Sequence, residues 1–310
     1  MTHFTVTVCI DDPEKLEEAL APFSEELSVE PYKSYIYKTD DAKPEDHWDA
    51  ESVYPGGIPD GLTWQQYAAD FNAHCSLDED DEDGQYIHVD EDGKPYTMST
   101  YNPQSKWDWW QAGGRWTGRF AAKPGADPAE LITGEPGLRA SAAREGYCDG
   151  GMKRALDLDR PGDEAAAKAL ARRMSYMALT AGTPPLVTWD SLIKRKHDGE
   201  LTIDQCREMY HEQPRIKALQ DSDDFRFEDE PERWERSEDE VATEARARTL
   251  CGWALLTADG QWTEPGKIEM GWFAATDATD ESSQEYWKFA AEYIRQLPDT
   301  MWIVSVDCHI

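Results

Sequence analysis

The two ends of the 310-residue chain constrain its fold most, because each contains a short run rich in β-branched residues. The first run, residues 4–10, is followed by a helix signal that extends to about residue 23, with Asp12 suited to the N-cap and Pro13 to the first helical position. The last run, residues 301–306, predicts a final strand. A chain with these two ends can close one sheet from both sides.

The C-terminal region extends this pattern to a ββαβ ending. Strands are predicted at residues 252–256 and 267–274 around a turn at 258–260, followed by a helix at 283–297. Both ends together predict an α+β fold, a ferredoxin-like sandwich in which the first and last strands meet in one sheet. The predicted domains are a core of residues 1–30 and 250–310, a β-rich insertion at 31–160 and a helical, acidic insertion at 161–249.

The β-rich insertion carries a tryptophan-rich segment. Residues 101–116 hold four of the thirteen tryptophans and end in Gly-Gly-Arg-Trp. Gly113 and Gly114 permit close backbone approach, and Arg115 brings planar donors beside aromatic faces, which predicts a concave site near the terminal strands for a planar or anionic ligand. The alternative is that the tryptophans form a core and the glycines a tight hairpin. The predicted ligand-binding residues are Lys106, Trp107, Asp108, Trp109, Gly113, Gly114, Arg115, Trp116 and Trp272.

Composition excludes several classes of protein. Hydrophobic residues make up 39% of the chain, which suffices for a core, but no apolar run approaches the roughly 18 residues that a membrane span needs. The first residues lack the basic and apolar regions of a signal peptide. The six cysteines form no CxxC pair, so we expect free thiols in a cytoplasmic protein, with no cofactor and no resident metal.

The net charge is −32, from 63 acidic and 31 basic residues. This balance disfavours direct binding to nucleic acid, since phosphate contacts need a basic surface. Two interpretations of the acidic excess are left. The acids could imitate phosphates and capture a basic nucleic-acid-binding partner, or they could serve solubility alone. Solubility is favoured, because acids occur throughout the chain and alternate with basic residues on the predicted helices.

Two further groups of residues could carry chemistry. Asp149, Lys153 and Asp157 are spaced by four, so a continuous helix would hold one lysine between two carboxylates. A metal or phosphate site and a structural ion pair are both open, and the two glycines after Asp149 favour a loop as much as a helix. At the C-terminus, a strand would place Asp307 and His309 on one face and the intervening cysteine on the other, which disfavours a Cys-His dyad.

The middle of the chain contains further local signals. Residues 78–92 hold nine acids and no lysine or arginine, and match a calcium loop in part, but the turn at 90–93 indicates a hairpin instead. Amphipathic helices are predicted at 163–181, 188–197 and 202–212. The charge-dense stretch 221–248 is predicted to be an exposed helix or a loosely ordered linker.

Several motifs together resemble a family of uncharacterised proteins encoded by tailed bacteriophages and prophages. They are the His-Phe-Thr-Val opening, Asn-Pro-x-x-Lys-Trp-Asp-Trp and Gly-Gly-Arg-Trp between residues 90 and 116, Gly271-Trp272, and the ending Val-Asp-Cys-His-Ile. The residues at 149, 153 and 157 are similar to an Asp-x-x-x-Lys-Gly-Asp-Ile-Asp pattern in such proteins, although Arg154 and Ala155 depart from it. The family has no settled activity, so the resemblance implies an origin and not a mechanism.

A phage origin implies a role in host takeover or counter-defence. We therefore expect an accessory protein that acts by binding, with a host protein or a small, anionic, nucleotide-like ligand as its partner. The alternative is an enzyme, such as a metal-assisted hydrolase of a phosphate-containing substrate, with Asp108 or Asp149 as acid or base and Arg115 or Lys153 holding the substrate. A second alternative is an acidic DNA mimic. The identity of the partner and the oligomeric state stay open.

Overall fold

A computed structural model describes residues 2–37, 39, 41–79, 84–138, 144–228, 230–266, 268–269, 275–276 and 280–310. Its elements are numbered in chain order. The strands are β1 (His3–Ile10), β2 (Tyr32–Tyr35), β3 (His88–Val89), β4 (Pro95–Ser99), β5 (Trp109–Gly114), β6 (Phe120–Ala122), β7 (Leu131–Ile132), β8 (Glu135–Pro136), β9 (Tyr147–Cys148), β10 (Gly150–Met152), β11 (Leu156–Asp157), β12 (Ala254–Leu256), β13 (Trp262–Thr263), β14 (Ile268–Glu269), β15 (Ala275–Thr276) and β16 (Trp302–His309).

The α-helices are α1 (Leu16–Leu20), α2 (Ala50–Val53), α3 (Trp64–His74), α4 (Arg160–Leu179), α5 (Trp189–His197), α6 (Ile203–His211), α7 (Pro214–Gln220), α8 (Glu238–Leu250) and α9 (Asp280–Gln296). The first helical segment contains the predicted cap, since the Asp12 side chain accepts from the Glu14 N–H at 3.0 Å. Short 3₁₀ turns, Pro13–Lys15 and Ala21–Phe23, flank α1, so the predicted helix is present but irregular.

The chain divides into two compact units. The first consists of Met1–Ala19 and Trp109–Ile310, and the second of Leu20–Asp108. These boundaries lie at other positions than those of the predicted domains. They also divide the tryptophan-rich segment between Asp108 and Trp109.

The first unit is built on a mixed sheet with the order β13-β12-β1-β16-β10-β7, in which β5 also pairs with β16 and β8 with β5. Strands β1 and β16 are antiparallel along their whole length, from His3↔His309 to Ile10↔Trp302. The predicted meeting of the first and last strands is therefore confirmed. Strands from the predicted β-rich insertion belong to the same sheet.

The mixed α+β class is also confirmed, but the ferredoxin-like arrangement is not. In a ferredoxin-like sheet the return strand of the hairpin lies between two parallel strands. Here β12 pairs directly with β1 in parallel, and β13 lies on its outer side. The return strand also comes earlier than predicted, because Thr257 N–H donates to Gln261 O at 2.9 Å and closes a short turn before Trp262.

One face of the sheet changes character along β1 and β16. Its cross-strand pairs are Cys9↔Ile303, Thr7↔Ser305, Thr5↔Asp307 and His3↔His309. At the first pair the face is apolar and packs against α9 residues such as Ile294. Further along, polar side chains are buried, and Thr7 Oγ1 accepts from Gly252 N–H at 2.9 Å. The face therefore runs from an apolar core to a polar end at His3.

The helical part of the first unit follows the local sequence signals. Helices α4, α5 and α6 occur where amphipathic patterns predict them, and the side chain of Thr202 caps α6 by accepting from Gln205 N–H at 3.2 Å. A second apolar cluster contains Tyr176, Ile216, Leu219, Phe225, Trp234 and Val241. The charge-dense stretch 221–248 contributes buried residues to this cluster, so the prediction of an exposed helix or a loose linker is wrong.

The second unit contains a three-stranded sheet in the order β2-β4-β3 and a core around Tyr67. The side chain of Asn72 fixes the segment before β3 through two 2.9 Å hydrogen bonds with the backbone of Ile87. Asp90 accepts from Lys94 N–H at 2.9 Å within the turn that joins β3 and β4. The predicted hairpin is confirmed here. The calcium-loop positions at residues 81 and 83 lie outside the described residues.

The predicted thiol state is confirmed, because all six cysteines are free. Within the described ranges, no helix combines the length and the apolar character needed to cross a membrane.

Candidate functional site

The first three residues of the predicted ligand site belong to the second unit. Trp107 Nε1 donates to the carbonyl of Leu20 at 3.3 Å, and the backbone N–H of Lys106 donates to Phe23 O at 2.8 Å. Asp108 is exposed. The side chain of Trp107 thus holds its segment against the backbone at Leu20. The predicted ligand-binding residues do not form one continuous loop.

Trp109 begins β5 and joins two histidines in a row across the sheet. His309 of β16 lies opposite both Trp109 of β5 and His3 of β1. The His3 and His309 ring centroids are 4.9 Å apart with the rings at 70°, and the His3 and Trp109 centroids are 6.0 Å apart at 71°. Trp109 is 43% exposed, so this aromatic row reaches the surface.

The Gly-Gly turn after β5 folds around two buried carboxylates. Gly113 and Gly114 have φ angles of +78° and +55°, which favour glycine. A Cβ at Gly113 would lie 2.7 Å from Cγ of Asp149, and one at Gly114 would lie 2.3 Å from Cβ of Asp307. The glycines are therefore required by close approach as well as by backbone conformation.

Asp149 is one of these carboxylates and is fully buried. Oδ1 accepts from Gly118 N–H at 2.6 Å, and Oδ2 accepts from Gly134 N–H at 2.7 Å and Thr117 Oγ1 at 3.1 Å. All three donors are uncharged, and they belong to two different loops. Asp149 consequently holds the loops together, which is a structural role.

Asp307 is the other carboxylate and is 1% exposed. Oδ2 accepts from the backbone N–H of Arg115 at 2.9 Å, and Oδ1 is 2.8 Å from Nδ1 of His3. The His3 side chain is 19% exposed. Because Nδ1 donates to the carboxylate in this arrangement, Nε2 is the ring nitrogen left to accept a proton or a ligand hydrogen bond.

Arg115 is exposed, and it differs from the other arginines in the described part of the chain. They donate to carboxylates or carbonyls, or stack on aromatic rings, as in the 3.2 Å pair of Arg207 with Asp204. For Arg115, only the backbone N–H makes a hydrogen bond to the described residues. Its guanidinium thus makes no hydrogen bond within the described residues, while its backbone shares Asp307 with the imidazole of His3. We call His3, Trp109, Arg115, Asp307 and His309 the His3 cluster.

The remaining predicted residues do not join this cluster as ligands. Trp116 is half-buried, and its N–H closes the turn onto Gly113 O at 3.1 Å. Trp272 lies outside the described residues. Cys308 faces the opposite side of the sheet, as predicted, and burial raises the pKa of its thiol.

The structure does not bring Asp149, Lys153 and Asp157 together as a site. Asp149 lies in the bend between β9 and β10, Lys153 in a 3₁₀ turn and Asp157 on β11, so no continuous α-helix joins them. Lys153 Nζ donates to the carbonyls of Arg295 and Leu297 at the end of α9, both at 2.5 Å. Asp157 Oδ1 accepts from Arg160 N–H at 3.1 Å at the start of α4. No cluster of three or more His, Cys, Asp or Glu side chains within the described ranges could hold a metal ion.

His3 is the functional candidate that sequence reasoning missed. The alternation of strand residues does place Asp307 and His309 on one face, as predicted. It does not reveal which residue of β1 lies opposite them, because that depends on the register of two strands 304 positions apart. Comparison with protein-family models, curated proteins and solved structures finds no match for this chain.

Proposed function

We propose that this protein binds a small anionic ligand with a flat ring at the His3 cluster. The observation that carries the proposal is Asp307, a buried carboxylate that joins the backbone N–H of the exposed Arg115 to the imidazole of His3. Within the described residues the guanidinium of Arg115 makes no hydrogen bond. A guanidinium presents two parallel N–H donors to a phosphate or carboxylate, which a fixed point charge cannot match. Trp109 is exposed on the same side of the sheet and offers a surface on which a planar ring can stack.

The charge of the chain supports a local binding site and not a broad one. At a net charge of −32, the field of the whole protein repels anions, so an anion needs a local group of donors to be held. The His3 cluster supplies such a group of donors in the guanidinium of Arg115. A small ligand fits this arrangement better than a nucleic acid duplex, which would meet the acids around it.

The resemblance to phage proteins gives the proposal its biological setting. We propose that the protein acts in the cytoplasm of a bacterial host and sequesters a nucleotide-like molecule during takeover or counter-defence. DNA mimicry, and an enzyme with Asp149 as its acid or base, have less support. Asp149 already accepts three hydrogen bonds and is sealed from solvent, which leaves it little freedom as a catalytic acid or base. DNA mimicry would need carboxylates at the spacing of DNA phosphates, whereas the acids occur throughout the sequence.

The experiment is a binding titration of the purified protein with nucleoside monophosphates, cyclic nucleotides and dinucleotides, followed by calorimetry and tryptophan fluorescence. Arg115→Lys should weaken binding at least about tenfold, or about 1.4 kcal/mol, because the bidentate geometry is lost. Trp109→Ala should weaken it by about 1–3 kcal/mol. The matched controls are Arg207→Lys and Trp48→Ala, which change exposed residues elsewhere and should leave the affinity unchanged.

Native mass spectrometry of the protein isolated from its expression host provides a second readout, because a sequestered ligand would be released unmodified on denaturation. Equal affinity of Arg115→Lys and wild type would remove the guanidinium from the site. Failure of every anion in the panel to bind would remove the proposed function itself.

A further inference from the structure

We infer that His3 is a general base, which removes the proton from the 2′-hydroxyl of a bound ribonucleotide and so starts cleavage of the adjacent phosphodiester. This inference rests on the proposed function, because it names the substrate class of the same site. It goes further in assigning a reaction, where binding alone requires none.

The first support is the way in which His3 is held. Its Nδ1 lies 2.8 Å from Oδ1 of Asp307, a carboxylate that is 1% exposed and is fixed on its other oxygen by Arg115 N–H. A buried carboxylate on Nδ1 sets the tautomer of an imidazole and directs Nε2 to act as the proton acceptor. Asp307 is therefore a positioning residue, and the reacting atom is Nε2 of His3.

The second support is what surrounds the imidazole. Its hydrogen-bond and ring contacts within the described residues are with Asp307, Trp109 and His309, none of which carries a hydroxyl or a thiol that a base could activate. Cys308, the nearest thiol in sequence, faces the other side of the sheet. A base without such a group acts on water or on a hydroxyl of the substrate, and a ribonucleotide diester carries a 2′-hydroxyl next to its phosphorus.

The rest of the cluster matches the other parts of that substrate. Arg115 is exposed and shares Asp307 with His3, so its side chain starts within reach of a phosphate bound at the imidazole. Its guanidinium could then hold the two non-bridging oxygens and stabilise the extra negative charge that develops on them during attack. Trp109 provides the stacking surface for a base, an interaction that tolerates any of the four bases. The substrate class is accordingly a short ribonucleotide, such as a dinucleotide, not a long RNA.

The step balances without any co-reactant. The 2′-hydroxyl proton passes to Nε2 of His3, and the 2′-oxygen forms a bond to phosphorus. The bond from phosphorus to the 5′-oxygen breaks, and this oxygen takes up a proton from the imidazolium or from solvent. The products are a 2′,3′-cyclic phosphate and a free 5′-hydroxyl, with no change in oxidation state.

The test uses the full chain with the dinucleoside monophosphates UpA and ApA, and with their 2′-deoxy counterparts. Chromatography should detect the cyclic phosphate from the ribo forms only. His3→Gln should slow this reaction about 10²- to 10⁴-fold, the usual contribution of a general base, while binding of the dinucleotide changes only a few-fold. The control is His197→Gln, at the exposed end of α5, which should cleave at the wild-type rate.

Two further measurements separate catalysis from structural damage. Imidazole added to His3→Ala should restore part of the rate, which a misfolded variant cannot do. Asp307→Asn should shift or flatten the pH–rate profile, because the wrong tautomer of His3 is then favoured. Binding without cleavage would overturn this inference and leave the proposed function intact, whereas absence of binding would overturn both. Cleavage of the deoxy forms at a similar rate would also overturn it, since the 2′-hydroxyl would then play no part.

Discussion

Asp149 and Asp307 are two buried carboxylates reached by the same glycine turn, yet their surroundings differ. Asp149 accepts from Gly118, Gly134 and Thr117, which are all neutral and cannot change protonation in water. Asp307 accepts from one backbone N–H and from the imidazole of His3, a side chain that is 19% exposed. All hydrogen bonds of Asp149 are therefore with buried or half-buried neutral groups, whereas Asp307 links the core to a partly exposed imidazole.

This difference separates a structural from a functional buried charge. A carboxylate that accepts only from neutral backbone and hydroxyl donors gives rigidity, because moving any of these partners would leave a buried polar group unsatisfied. A carboxylate that holds an exposed imidazole gives the surface a group with fixed orientation. Burial alone does not distinguish the two aspartates. The two aspartates are distinguished by the groups that donate hydrogen bonds to them.

Among the variants considered, Asp149→Asn should lower the free energy of unfolding most. The amide can accept at only one of its two positions, so at least one backbone N–H, at Gly118 or Gly134, must face an N–H₂ group. We expect a loss of about 3–5 kcal/mol in the free energy of unfolding, from lost and unsatisfied buried hydrogen bonds. Urea unfolding followed by circular dichroism measures it. A loss below about 1 kcal/mol would show that Asp149 is not an anchor.

Gly114→Ala should cause the second-largest loss in the free energy of unfolding. The new Cβ would lie 2.3 Å from Cβ of Asp307 and would also occupy a φ of +55°. We expect a loss of about 2–4 kcal/mol in the free energy of unfolding, from crowding together with backbone strain. The matched control is Gly125→Ala, where φ is +77° but nothing lies within 4 Å of the added Cβ. If both variants lost about 1 kcal/mol, only the backbone angle would matter, and the close approach to Asp307 would be unimportant.

Asp307→Asn should cost much less stability, at most about 1 kcal/mol. The amide oxygen can still accept from Arg115 N–H, and the amide nitrogen can donate to Nδ1 of His3. The proton of the imidazole must then move to Nε2. Nitrogen-15 NMR of the histidine rings should report this change of tautomer at His3 and not at His197. An unchanged tautomer, or a stability loss as large as that of Asp149→Asn, would erase the distinction between the two carboxylates.

The smallest expected effect on stability is a pH dependence that comes from a surface carboxylate, Glu164. The Tyr147 hydroxyl, with the guanidinium groups of Arg144 and Arg160, lowers the pKa of Glu164 from 4.5 to about 2. Since the folded pKa is the lower one, this contribution to stability is complete above pH 4.5 and is lost as the pH falls toward 2. Melting temperatures of wild type should therefore fall more steeply over this range than those of Glu164→Gln. Parallel curves would contradict the assignment.

The sequence predicted elements whose signals are local. Helices α4 to α6 follow from amphipathic spacing and a capping box, and β1 and β16 follow from β-branched runs. It also predicted that Asp307 and His309 share a face, because strand alternation is a property of the backbone. These features depend on residues within a few positions of one another.

The site depends on distant partners, and here sequence reasoning fell short. The tryptophan-rich segment reads as one motif, but Trp107 binds the backbone near Leu20 while Trp109 pairs with β16. The requirement for Gly113 and Gly114 comes from carboxylates at positions 149 and 307, which no local pattern reveals. The sheet order beside β1 was equally hidden, because it follows from which hairpin strand pairs with β1.

The pairing of β1 with β16 has a consequence for the order in which the protein is made. His3 and Asp307 are 304 positions apart, so at about 5–20 residues per second a ribosome needs roughly 15–60 s between them. During this time β1 lacks β16, and for most of it β1 also lacks β12, which begins only at residue 254. Its unpaired N–H and C=O groups can meet another nascent chain instead. A chain released early from the ribosome would therefore have an unpaired, aggregation-prone first strand. It would also lack the carboxylate that orients His3.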